Sequence, residues 1–205
     1  MHLIRVAPAK APQIQSEKRK DDIMSVPNIL TILRIIFTPI FLILIIQQKL
    51  QQAFIVFLLA GFTDVLDGAI ARFFDQKTNL GIYLDPAADK LLISSSYILL
   101  SLHSVAIPNT IPVWLTSFVI GRDVLIVSGF LFFLKQNKVN NFSPSLLGKT
   151  TTVSQVTVVG LVLLFNIMQI SPPILNWAYL ITLILTIISG IDYSISKFSL
   201  LSSPK

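Results

Sequence analysis

Apolar residues run in long blocks from Ile29 to the C-terminal region, separated by short polar connections. Six blocks predict helices: Ile29 to Ile46, then 53–74, 86–103, 111–134, 150–168 and 173–195. At ~1.5 Å rise per residue, each crosses or nearly crosses ~30 Å of hydrocarbon. The first block is long, contains Arg34 and lacks a small-residue cleavage site, so it reads as a helix rather than a signal peptide. Gln47 to Gln52 and Pro108-Asn109-Thr110 are short turns, and Asn137 to Ser145 is a longer polar loop. Pro172 and Pro173 suit a turn feeding the first turn of the last helix. The expected fold is all-α and integral to a membrane.

Composition agrees with the pattern. The chain has 205 residues, 53% of them hydrophobic and 13% charged, with a mean hydropathy of +0.76. A single soluble core could not cover so many apolar blocks. With no cysteine, disulfides, thiolate nucleophiles and thiolate-bound zinc are excluded, while oxygen-ligand metal chemistry stays open. The net charge of +6 is scattered between apolar blocks, which fits loops facing anionic lipid and not nucleic acid.

Charge also sets orientation. One set of connections holds Lys77, Lys135, Lys138 and Lys149, together with Lys18, Arg19 and Lys20 in the tail and Lys197; the other holds Lys49 and a neutral stretch around His103 and Asn109. The positive-inside rule then predicts six transmembrane helices with both termini cytoplasmic. The domain organisation is a polar tail or interfacial segment at 1–27, one helical membrane domain at 28–197 and a tail at 198–205, without internal repeats. Glu17, Asp21 and Asp22 argue against a mitochondrial transit peptide, so a bacterial cytoplasmic membrane is the expected home. Trp114, Trp177 and Tyr179 suit an interfacial aromatic belt.

Four carboxylates break the apolar pattern. Asp64 and Asp67 fall within or just beneath the second block, and Asp85 and Asp89 open the third. Ionised carboxylates at such depth cost several kcal/mol unless paired, which makes them functional candidates. Asp64, Asp67, Gly68, Ala71 and Arg72 stand at i, i+3, i+4, i+7 and i+8, on one helical face; Asp85 and Asp89, at i and i+4, also share a face. Four neighbouring carboxylates repel unless cations separate them, and oxygen-only ligands select hard ions such as Mg²⁺ or Mn²⁺, which join carboxylates to substrate phosphates. Gly68 and Ala71 let a bulky phosphate group approach the backbone, and Arg72 offers forked donors. The same small residues also suit close helix packing, and Asp85-Pro86 equally suits a helix N-cap and first turn.

These residues, D64-x2-D67-G68-x2-A71-R72-x8-G81-x3-D85-x3-D89, resemble without a departure the signature of the CDP-alcohol phosphatidyltransferases. The likeness runs from Asn28 to the end. It implies a six-helix homodimer, two metal ions held by Asp64, Asp67, Asp85 and Asp89, and Gly68, Ala71, Arg72 and Gly81 at the CDP moiety. It further implies transfer of a phosphatidyl group from CDP-diacylglycerol to an acceptor hydroxyl with release of CMP, Asp89 acting as the base.

Outside the signature, Asn28, Thr31 and Arg34 resemble an N-x2-T-x2-R opening of relatives that make phosphatidylglycerophosphate, where they could help hold the nucleotide. Thr31 equally suits ordinary helix hydrogen bonding. Arg34 either meets phosphate or pairs with an acid such as Asp123. By resemblance, Arg122 and Lys149 bind the acceptor's phosphate; the alternatives are an Arg122–Asp123 structural pair and a cytoplasmic flank for Lys149. Lys90 beside Asp89 offsets local negative charge.

Two acceptors compete. Ser145-Leu-Leu-Gly-Lys-x2-Thr152 and the segment Ile188 to Tyr193 resemble bacterial phosphatidylglycerophosphate synthases, which use glycerol 3-phosphate. Leu59 to Gly68 and Gly121-Arg122-Asp123 look closer to cardiolipin synthases, which accept phosphatidylglycerol. The small phosphomonoester suits Arg122 and Lys149 and is the expected acceptor. An ion-coupled membrane transporter would also carry intramembrane acids, but the chain lacks repeated halves and clusters its acids near one end of two helices.

Overall fold

A computed structural model describes the chain at residues 26–74, 79–102, 107–135 and 146–202, and side chains within 32–63, 90–102, 107–129 and 146–195. The described residues form α1 (Val26–Ile46), α2 (Leu50–Phe74), α3 (Asn79–Ser101), α4 (Val113–Lys135), α5 (Leu146–Ile167) and α6 (Ile174–Ser202), with no strand among them. All six predicted helices are present. Residues 1–25, His103 and the loop from Asn137 to Ser145 lie outside the described residues.

Two boundaries correct the reading of the sequence. α3 begins at Asn79 and runs through Pro86, so Asp85 lies inside the helix and is not its N-cap. α6 continues to Ser202, so most of the segment read as a tail from 198 is helical.

Helix α1 packs against α2 and α3, α5 against α2 and α6, and α4 against α3 and α6. The inward stripe of α1 is Arg34, Thr38, Phe41 and Ile45, at the 3.6-residue period of a helix. Phe41 meets Phe57 of α2 with ring centroids 5.6 Å apart, and Tyr97, Leu115, Val119, Val158 and Val162 continue the core through α3, α4 and α5.

The distribution of polarity is inverted relative to a soluble bundle. Arg34, Arg122, Asp123 and Gln155 are buried, while Ile43, Phe62, Val124 and Ile187 face outward. Water would reject such a surface, and hydrocarbon accepts it. Two stretches, Leu146–Ile167 and Ile174–Ile195, are long and apolar enough to cross a membrane; Ile32–Ile46, Leu50–Thr63 and Lys90–Ser101 are shorter apolar helices.

The connections are tied down by hydrogen bonds. Helices α1 and α5 both end in a Schellman cap closed by a glutamine in the left-handed region, Gln48 at φ 60° and Gln169 at φ 54°. In each, the glutamine N–H and the next N–H bond back to two carbonyls of the last turn: Gln48 to Ile45 and Lys49 to Leu44, Gln169 to Asn166 and Ile170 to Phe165. Leu175 and Asn176 donate to the carbonyls of Pro172 and Pro173, which lead into α6 as expected.

The turn at 108–110 is more than a link. The Asn109 N–H donates to Asn166 Oδ1 at 2.8 Å, Asn166 Nδ2 donates back to the Asn109 carbonyl at 2.8 Å, and Asn109 Nδ2 donates to the Ile170 carbonyl at 2.8 Å. Tyr179 is 6% exposed and its hydroxyl donates to the Thr110 carbonyl at 3.1 Å. It therefore pins this connection instead of joining an aromatic belt, whereas Trp114 and Trp177 are exposed.

Candidate active site

Asp64, Asp67, Gly68, Ala71 and Arg72 lie on the C-terminal half of α2, and Gly81, Asp85 and Asp89 on the N-terminal half of α3, on either side of the connection between the two helices. Asn28 and Thr31 lie in the first turns of α1. The side chains of all these residues are outside the described set. The surrounding walls are described.

Arg34 is 1% exposed and borders a cavity of about 50 Å³ with Phe57, Ala60 and Gly61 of α2, Leu92 of α3 and Thr152 of α5. Gly61 precedes Asp64 by one helical turn, and Leu92 follows Asp89 by one turn. The cavity thus adjoins both acid-bearing segments, and it has room for water. Beside its α5 wall, Gln155 is fully buried, and both its amide nitrogen and oxygen lack a hydrogen-bond partner.

Next along α3 from Asp89 comes a buried ionic network. Lys90 Nζ donates to Asp123 Oδ1 at 2.5 Å, and Arg122 donates to the same oxygen at 2.8 Å. The second terminal nitrogen of Arg122 donates to Ser189 Oγ of α6 at 3.0 Å. Asp123 Oδ2 and Arg122 Nε are buried without a partner. Asp123 therefore joins α3 to α4, and its ion pairs are with Lys90 and Arg122, not with Arg34.

On the outer side of Arg122 a cleft of about 520 Å³ opens between α4 and α6, with Gly121, Leu125, Thr186, Gly190 and Ile191 in its walls. Lys149 is exposed in the first turn of α5 and touches neither this cleft nor the cavity at Arg34. Of the cations read from the sequence, the structure thus buries Arg34 and Arg122 in separate walls and leaves Lys149 outside. Asp123, Lys90 and Gln155 were open to the rule that flagged the motif acids, being polar groups inside apolar helices. Ser189 was not, because a lone serine ordinarily bonds its own helix.

The profile of the CDP-alcohol phosphatidyltransferase family matches residues 24–188, which include every position of the acidic signature. The chain belongs to the CDP-alcohol phosphatidyltransferase family. Among its relatives are two kinds of enzyme. A cardiolipin synthase (CMP-forming) of Rattus norvegicus is 43% identical over 109 residues, covering 53% of this chain and 34% of the rat protein. A cardiolipin synthase (CMP-forming)/mitochondrial hydrolase fusion protein of Schizosaccharomyces pombe is 32% identical over 194 residues, covering 87% of this chain and 32% of the fusion protein. A CDP-diacylglycerol–glycerol-3-phosphate 3-phosphatidyltransferase of Haemophilus influenzae is 34% identical over 185 residues, covering 87% of this chain and 97% of that enzyme. The chain thus spans about a third of the eukaryotic relatives' length and nearly all of the bacterial one's.

Proposed function

We propose that this family member spans a bacterial cytoplasmic membrane with six helices and both termini in the cytoplasm, works as a homodimer, and transfers a phosphatidyl group from CDP-diacylglycerol to glycerol 3-phosphate. The observation that carries the reaction is the complete acidic signature on α2 and α3 within a family match over residues 24–188. The buried cations and apolar exterior support the membrane placement.

The donor set is all carboxylate, two residues on each of two helices, which fits two Mg²⁺ or Mn²⁺ ions at Asp64, Asp67, Asp85 and Asp89. Such ions neutralise a diphosphate and its departing phosphate when bound. Gly68, Ala71, Gly81, Arg72, Asn28 and Thr31 cradle the CDP moiety, and Arg34 meets the acceptor's phosphate. Asp89 takes the proton of the acceptor hydroxyl as that oxygen bonds to the lipid-linked phosphorus; the bond from this phosphorus to the bridging oxygen breaks, and CMP leaves.

Glycerol 3-phosphate as acceptor is supported by the near-complete coverage of the Haemophilus relative. Arg122 and Lys149 are its proposed phosphate ligands. Phosphatidylglycerol as acceptor, giving cardiolipin, is the second reading, supported by the apolar α4–α6 cleft beside Arg122. The test is CMP release from CDP-diacylglycerol and Mg²⁺ with each acceptor offered alone. Turnover with glycerol 3-phosphate is expected, turnover with phosphatidylglycerol alone moves the assignment to the second reading, and silence with both sinks the two together.

A further inference from the structure

Helix α5 buries two side-chain amides on one stripe, and their surroundings differ. Asn166 is bonded at both atoms: its Oδ1 accepts from the Asn109 N–H, and its Nδ2 donates to the carbonyls of Asn109 and Val162, each at 2.8 Å. Gln155, about three turns earlier on the same buried face, is 0% exposed, and neither Nε2 nor Oε1 has a hydrogen-bond partner among the described residues. The hydroxyls close by do not fill the gap. Thr151 donates to the carbonyls of Leu147 and Leu185, Thr152 to Gly148 and Ser154 to Thr151. The Tyr97 hydroxyl of α3 reaches the main-chain carbonyl of Gln155 at 3.4 Å and leaves its amide alone. An amide desolvated at both atoms is a standing cost to the fold, and a bound ligand that pairs with it recovers that cost.

Position and chemistry together say which ligand. Thr152 and Val156, which flank Gln155 along α5, both line the cavity at Arg34, as does Leu92, one turn beyond Asp89. Gln155 also lies six residues past Lys149, about 9 Å further into the bundle along the helix axis. The nucleotide cradle falls on α1, α2 and α3, whereas Arg34 and Lys149 belong to the acceptor, so Gln155 stands on the acceptor's side. A phosphate calls for cations. A neutral amide, which can give one hydrogen bond and take another, matches an alcohol hydroxyl, which does the same. Glycerol 3-phosphate and the headgroup of phosphatidylglycerol share such a group: beside the primary hydroxyl that attacks, each carries a secondary hydroxyl on the neighbouring carbon.

We propose that Gln155 is a specificity-determining residue that reads the secondary, non-reacting hydroxyl of a glycerol acceptor, Nε2 donating to its oxygen and Oε1 accepting from it. The inference rests on the proposed phosphatidyl transfer and holds for either acceptor. It gives the enzyme a means of telling glycerol from alcohols that present only the attacking hydroxyl.

The full-length enzyme, with CDP-diacylglycerol and Mg²⁺, is offered glycerol 3-phosphate or 3-hydroxypropyl phosphate, which keeps the primary hydroxyl and the phosphate and lacks the secondary hydroxyl. Phosphatidylglycerol and its propanediol analogue form the parallel pair. In whichever pair is turned over, kcat/KM from CMP release is expected to favour the glycerol compound by about 10–100-fold. Gln155→Leu, of similar volume and without polar atoms, should bring that ratio close to one by slowing the glycerol compound alone. Its thermal midpoint should not fall, because the change removes an unpartnered amide. Wild-type enzyme that uses both members of a pair equally would overturn the proposal, and this arm needs no variant to fold. So would a Gln155→Leu variant that keeps the preference, as a residue holding only a structural water would, or one that loses both members alike. Silence with all four acceptors falls instead on the transfer reading, so the two failures remain distinguishable.

Discussion

Two buried polar clusters, one at a turn and one half-way along the helices, are satisfied to different degrees. At the α3–α4 turn, Asn109, Asn166, Tyr179 and the carbonyls of Thr110 and Ile170 exchange neutral hydrogen bonds, and none of their side-chain polar atoms is buried without a partner. Near Asp89, Lys90, Arg122 and Asp123 are charged, and both Asp123 Oδ2 and Arg122 Nε are idle. The first cluster spends its polarity on holding two connections, α3–α4 and α5–α6, together. The second keeps some in reserve, at a cost that a purely structural cluster has no reason to bear. The comparison separates a fully bonded cluster from one with unpartnered buried atoms, without reference to sequence motifs.

Breaking the charged region should have the larger effects. Asp89→Asn is expected to cut CMP release by about 10²–10⁴-fold with CDP-diacylglycerol binding retained, measured by thermal shift at saturating Mg²⁺. Binding lost in parallel would make Asp89 chiefly a metal ligand. Asp123→Ala leaves two cations buried without their anion and should cost about 3–5 kcal/mol in reversible unfolding from mixed micelles. A cost near zero would mean that Lys90 and Arg122 find other anions. At the neutral turn, Asn166→Ala strands the Asn109 N–H and carbonyl and should cost about 1–3 kcal/mol. The KM values for both substrates should not change; a shift in KM would erase the distinction between the two clusters.

Much of this was legible in the chain. Blocks of apolar residues at the length of a bilayer mark all six helices, and the regular spacing of Asp64, Asp67, Asp85 and Asp89 marks the signature. Boundaries were less legible where a local signal competed with helix propagation. Asp85-Pro86 has the form of a helix start, yet the apolar Leu80, Ile82, Tyr83 and Leu84 before it extend the helix to Asn79. Partners were legible least. Nothing in the order of residues says that Asn109 meets Asn166 across 57 positions, that Tyr179 turns inward, or that Arg122 reaches Ser189. Helices that are apolar all round give no moment from which to read their inward face, so these pairings depend on rotation set by packing.

The paired glutamine caps on α1 and α5 have a practical consequence for handling the protein. Gln48 and Gln169 hold a backbone conformation that costs a side-chain-bearing residue about 1 kcal/mol and glycine almost nothing. Neither belongs to the acidic signature, the ionic network or the cleft. Gln48→Gly and Gln169→Gly should therefore each raise stability by a fraction of that amount, after the added freedom of the unfolded chain is subtracted, with catalysis unchanged. A double variant would be a hardier starting point for purification in detergent.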